Sequence, residues 1–129
     1  MEHIPVISLV VRDYDEAIAF YTRTMRFDLV EDTDRGHGKR WVLVRPRGGR
    51  GPQLLLARAK NDRQRAAIGN QTGGRVAFFL YTDDFDGYYD HLVAHGIRVV
   101  RSVSEEPFGK VCVVADLYGN LWDLIQPRG

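Results

Sequence analysis

Short runs of apolar residues, broken by Gly, Asp, Pro and Arg, set the rhythm of this chain, and only two stretches carry helical spacing. Residues 5–12 (PVISLVVR) read as a strand. Asp13 then caps a helix on which Ile18, Tyr21 and Met25 fall on one stripe. Phe27 to Asp32 reads as strand, Asp34 to Gly38 as a turn, and Arg40 to Arg45 as a third strand. A Pro/Gly-rich loop at 46–52 leads into a fourth strand, Gln53 to Arg58. Residues 59–73 are polar, with a short helix ending near Gly69, and form the one plausible linker. The pattern then restarts. Arg75 to Thr82 is a strand, Asp84 to His95 a helix closed by Gly96, and Ile97 to Val103 a strand. Val111 to Ala115 and Leu121 to Gln126 form a closing hairpin around the turn-rich Asp116–Asn120.

The restart is a repeat. Shifted by 71 residues, Asp13-Tyr14-Asp15 falls on Asp84-Phe85-Asp86 at the two helix starts. Gly38-Lys39 falls on Gly109-Lys110, and Gly48 falls on Gly119. The first hairpin loop holds three extra residues, after which Leu55 matches Asp123. Matches at several landmarks in one register point to duplication of a βαβββ module. The expected fold is α+β: two tandem βαβββ modules forming a curved, mixed-sheet cup with the helices outside. Module 1 covers about 1–58, the linker 59–73 and module 2 about 74–129, all within one domain.

Composition adds little until charge is considered. With 129 residues, 44% hydrophobic and 27% charged, the chain has the balance of a globular domain with a sizeable core. No apolar run approaches the roughly 20 residues of a membrane span, and the N-terminus lacks a signal-peptide pattern. Cys112 is the one cysteine, which excludes an internal disulfide, suits a reducing compartment and supports a cytoplasmic expectation. The net charge of +1 hides an asymmetry: from Arg35 to Ala66 there are ten Lys and Arg residues against one acid, Asp62. That stretch is either a solvated basic face or a surface that draws in an anionic small molecule. Aromatic residues do not interleave with the basic ones and no binding motif appears, which argues against nucleic acid.

Asp123 is the residue whose placement needs a reason. Alternation along the last strand puts it on one face with Leu121 and Ile125, and puts Trp122 and Leu124 on the other. A carboxylate among apolar neighbours is costly unless it meets water, a partner or a ligand. It could bind a ligand cation, accept a ligand hydroxyl, or act as a base if burial raises its pKa. The structural alternative is a carboxylate satisfied by a nearby Tyr or Arg. Other candidates are weaker. Cys112 lies mid-strand, as buried thiols do. His91 and His95 are four apart on a helix and could hold a metal, whereas His3 and His37 stand alone. Glu105-Glu106-Pro107 reads as a solvated turn, and Trp41 and Trp122 as packing residues.

The stretches SLVVRDYDEAIAFYT (8–22), TDDFDGYYDHLVAHG (82–96) and DLYGNLWDLIQP (116–127), in this order around the duplication, resemble the vicinal oxygen chelate superfamily of glyoxalases, bleomycin and fosfomycin resistance proteins, and extradiol dioxygenases. The resemblance covers nearly the whole chain, with Leu117 where proline is common. It implies a divalent metal held by one residue from each module's first strand and one from each last strand. Those positions here are Val6, Ala77, Leu55 and Asp123, so one donor remains of four and the usual site is expected to be absent; no cofactor is expected.

The same parity turns Val6, Ser8, Val10, Ala77, Phe79 and Tyr81 toward the cup from the first strands, and Gln53, Leu55, Ala57, Leu121, Asp123 and Ile125 from the last. Ser8, Gln53, Phe79, Tyr81 and Asp123 are the candidate ligand-binding residues, in an apolar lining suited to a small organic molecule. Two functions follow from the resemblance: a metal-free binder of the bleomycin-resistance type, or a metal-dependent lyase or isomerase of glyoxalase type using an irregular site that includes Asp123. A homodimer is expected, with a small-molecule ligand and with neither nucleic acid nor membrane as partner.

Overall fold

In a computed structural model describing residues 1–129, the two halves of the chain run through the same order of elements. The first half comprises β1 (Val6–Val11), α1 (Tyr14–Ala19), a π-helical segment (Phe20–Thr24), β2 (Phe27–Gly36), β3 (Lys39–Pro46) and β4 (Gln53–Arg58). A short α2 (Asp62–Ala67) precedes β5 (Val76–Tyr81), α3 (Phe85–Ala94), β6 (Arg98–Glu106), β7 (Gly109–Ala115) and β8 (Leu121–Pro127). Each half forms a four-stranded mixed sheet, ordered β1-β4-β3-β2 and β5-β8-β7-β6. The fold is therefore α+β, built from two βαβββ modules. The chain divides into two compact units, Met1–Ile68 and Gly69–Gly129.

The order follows from connection lengths. β1 and β5 each lead into a helix, which carries the chain across the sheet before the next strand begins. Two antiparallel hairpins then fold back until the last strand lies parallel to the first, β4 on β1 and β8 on β5. The helices start where capping chemistry places them. Asp13 accepts a hydrogen bond from Glu16 N at 2.8 Å, and Asp84 accepts one from Gly87 N at 3.2 Å. Behind each sheet lies its core. In the first unit Leu9, Val11, Val42, Val44, Leu54 and Leu56 are buried with Tyr21 and Met25. In the second, Phe85 and Leu92 of α3 are buried, as are Cys112, Val114, Trp122 and Leu124 of the strands. No helix is long and apolar enough to cross a membrane.

Beyond shifts of one or two residues at strand ends, the structure departs from the sequence expectation in two hairpins and one helix. β2 continues through Asp34 and Arg35 to Gly36, because the connection is a two-residue hairpin turn at His37-Gly38, with φ of 56° and 78°. Asp and Gly are depleted in strands, so composition alone assigns them to the turn. β6 likewise runs to Glu106, which pairs with Gly109 across Pro107-Phe108, so Glu105 and Glu106 are strand rather than turn. The first helix changes pitch at Phe20, where Met25 N donates to Phe20 O at 3.1 Å across five residues. Tyr21 and Met25 remain buried as the stripe requires, and Ile18 is half-buried.

The β7–β8 turn is held from inside. Asp116, buried, accepts hydrogen bonds from Tyr118 N, Asn120 N and Asn120 Nδ2, each at 2.9 Å. Hydrogen bonds to a charged group contribute about 1.5–3 kcal/mol each, and bonds within one turn do not add fully. Asp116→Ala is therefore expected to lower unfolding free energy by about 3 kcal/mol, read as a reduced urea midpoint. A change within about 0.5 kcal/mol would remove this turn from the determinants of the fold.

Candidate functional site

The second sheet presents a continuous rung of side chains on its open face. Phe79 of β5 pairs with Asp123 of β8, Asp123 with Val113 of β7, and Val113 with Arg101 of β6. Directly paired residues share a sheet face. All four line one open pocket of about 580 Å³, to which Arg75 also contributes. Val113 is almost fully buried and forms the floor between the two charged residues, whereas Phe79 is 64% exposed and stands at the side. A β-bulge between Val99 and Arg101 sets the rung's far end, since it fixes Arg101 opposite Val113.

Asp123 is half-buried here. Burial pushes its carboxyl above the usual aspartate range, and the positive charge of Arg101 draws it partly back; no hydrogen bond contributes to the balance. Neither Arg101 nor Arg75 takes part in any of the chain's ion pairs, which join Arg12–Glu16, Arg40–Asp15, Arg40–Asp32, Arg65–Asp62, Lys110–Asp86 and Arg128–Glu105. Cys112, beside Asp123's strand partner, is buried, and its thiol is pushed up to about 11 by burial and by the Asp123 charge. It stays protonated at neutral pH and is no nucleophile.

The sequence candidates divide between the two units. Phe79 and Asp123 meet on one rung and line the pocket. Tyr81 lies two residues along β5, paired with Ile125; it is 68% exposed and outside the pocket lining. Ile125, on the Asp123 face by alternation, is buried. Ser8 and Gln53 belong to the first unit, Ser8 paired with Leu55 and Gln53 with Val6. Gln53 is half-buried, and its side-chain carbonyl oxygen has no hydrogen-bond partner. Arg101 escaped the sequence reading, although alternation over Ile97–Val103 sets it among Ile97, Val99 and Val103. The bulge between Val99 and Arg101 breaks that alternation, so the strand's own pattern does not show the face Arg101 takes.

The divalent site implied by the fold family does not fit these residues. Val6, Leu55 and Ala77 offer no donor atom, and no group of three His, Cys, Asp or Glu side chains is placed to hold a metal ion. The His91 and His95 rings lie side by side on α3, centroids 4.0 Å apart and tilted by 35°, and no third ligand joins them.

A sequence model of the Glyoxalase/Bleomycin resistance protein/Dioxygenase superfamily matches residues 3–124. The chain belongs to this superfamily. Among its relatives, an uncharacterized protein of Shewanella frigidimarina (strain NCIMB 400) is 54% identical over 121 residues, covering 93% of this chain and 90% of that one. Among solved structures, the chain is similar to TnmS3, an antibiotic binding protein from Streptomyces sp. CB03234, at 29% identity and a TM-score of 0.78, covering 99% of this chain and 98% of that one. UcmS2, at 24% identity and a TM-score of 0.84, covers 97% and 98% and shares the fold. Superfamily membership accounts for the scaffold and does not by itself assign a chemistry.

The upward displacement of the Asp123 titration has a signed consequence for stability. A carboxyl with a folded pKa above its unfolded value favours the folded state most when protonated, and that contribution is lost as pH rises through the folded pKa. Asp123→Asn is therefore expected to melt at a higher temperature than the parent at pH 7. The difference should shrink as pH falls toward about 4, the ordinary aspartate range. Parallel thermal melts at the two pH values check this, and a pH-independent difference would contradict it.

Proposed function

We propose that this protein binds a small organic molecule in the pocket of its second unit and does so without a resident divalent metal. One observation carries the reading: a single sheet rung aligns an exposed aromatic ring, a half-buried carboxylate, an apolar floor and an unpaired guanidinium in one pocket of about 580 Å³. Small-molecule sites commonly measure about 300–1,000 Å³, mostly apolar with a few placed polar groups. The likeness to TnmS3, an antibiotic binding protein, supports the same class of activity. Arg75 and Arg101 favour an anionic group on the ligand, and Phe79 supplies an aromatic surface. Tyr81 extends that surface along β5, and Ser8 and Gln53 are the corresponding polar positions of the first unit. A single buried thiol suits a cytoplasmic setting.

Two measurements test this. Elemental analysis of protein purified without added metal is expected to give far less than one zinc, nickel, iron or manganese per chain. About one equivalent, lost in Asp123→Asn, would overturn the metal-free reading and favour a lyase or isomerase that polarises a carbonyl oxygen through the ion. Amide NMR against a panel of aromatic acids and antibiotics is expected to shift Phe79, Arg101, Val113 and Asp123 together; shifts confined to other surfaces would move the site.

The reading includes a homodimer. Ile4, Ile7, Val100, Val103 and Phe108 leave apolar surface exposed on a chain of 14.7 kDa. Light scattering is expected to give about twice that mass, and a monomer at working concentration would refute the dimer.

A further inference from the structure

We infer that the ligand class is a small zwitterion, with an ammonium group at Asp123 and Phe79 and an acid group at Arg101, separated by an apolar body lying over Val113. The inference deepens the binding reading above and rests on it.

Its basis is the spacing and the sign of charge along one rung. Asp123 and Arg101 flank Val113 on successive strands, so their Cα atoms lie two strand spacings apart, about 10 Å. Their side chains point into the same pocket, yet no ion pair closes between them. Val113, almost fully buried, gives the interval an apolar floor. At one end the open carboxylate is half-buried and takes no hydrogen bond, so a charged donor satisfies it best. Phe79 stands next to it with its ring exposed, and an aromatic face also attracts an ammonium. At the other end the guanidinium offers paired donors of the geometry that carboxylates take. Arg75, on the same pocket wall, raises the attraction for the acid without lying on the rung.

The duplicated unit shows that the sheet itself does not require these charges. Its equivalent rung runs Ser8–Leu55–Leu43–Glu31. There leucine stands in place of Asp123, and the outer position is an acid rather than Arg101. That acid, Glu31, already accepts a hydrogen bond from Thr33 Oγ1 at 2.8 Å. One architecture thus carries two unrelated rungs, and only the second pairs opposite charges across an apolar gap inside a pocket.

The test compares three probes that share one ring: 4-(aminomethyl)benzoate, benzoate and benzylamine, titrated into the 129-residue chain and followed by amide NMR. The zwitterion is expected to bind about tenfold more tightly than either singly charged probe, shifting the amides of Phe79, Val113 and Arg101. Asp123→Asn should abolish its advantage over benzoate, and Arg101→Gln its advantage over benzylamine, whereas Arg75→Gln should weaken both acids alike. The comparison of probes on the parent chain stands even if a variant fails to fold. Equal affinities for zwitterion and benzoate, with the same amides shifted, would overturn the zwitterion inference and leave the pocket reading intact. No shift at these amides with any probe would overturn both.

Discussion

The parallel pairing of the first and last strands within each unit is the constraint on which the rest depends. A parallel neighbour cannot be reached by a tight turn, so the helix and two hairpins between the strands are consequences of that pairing. Its register sets Ser8 opposite Leu55 in one unit and, past an irregularity between Val76 and Phe78, Phe79 opposite Asp123 in the other. A slip of one residue would turn Asp123 into the core and expose Trp122 and Leu124, which are buried at 4% and 1%. Burial of that apolar face therefore fixes where the carboxylate points.

Duplication and divergence separate what the fold needs from what the site adds. The helix caps Asp13 and Asp84, the sheet order and the edge-strand bulges recur in both units. These features recur because each supplies local geometry that the module cannot form without. The rung residues do not recur. Leucine at the Asp123 position satisfies the first sheet, so no packing demand explains an aspartate in the second. The difference lies on the open face, where a substitution leaves the core packing behind the sheet in place.

Much of this was legible in the residues. The 71-residue register marked both modules, and alternation alone put Asp123 on the face opposite Trp122 and Leu124. Turn chemistry misled where polar residues were strand: Asp34 and Glu105 pair in ladders, and Arg35 is the bulged residue of its strand, because the hairpin loops hold only two residues each. The π-helical turn at Phe20 leaves no mark in a stripe that 3.6-residue spacing already explains. Arg101 was hidden for a different reason. Bulges change which residues oppose each other, and a pattern read along one strand cannot show what its neighbour brings alongside. The rung is a property of four strands at once.

The cost of the rung explains why its charges are better understood as parts of a site than of the scaffold. A half-buried carboxylate loses solvation on folding, and the direction of its titration shows that Arg101 restores only part of it. A stability-driven sequence would close the ion pair or replace Asp123 by leucine, as the first unit has. Elsewhere the chain does complete such contacts: Arg40 reaches Asp32 at 2.8 Å and Asp15 at 2.9 Å, and Asp116 is fully bonded within its turn. Against that background, two opposite charges held apart over a valine floor are a preorganised arrangement. The sheet holds them at a fixed separation before any ligand arrives, so a molecule that bridges them need not draw them into place. Under the proposed binding role, the same arrangement is what sets selectivity. A ligand with one charge leaves the other group of the rung exposed to the desolvation that binding brings, so the penalty falls on incomplete partners.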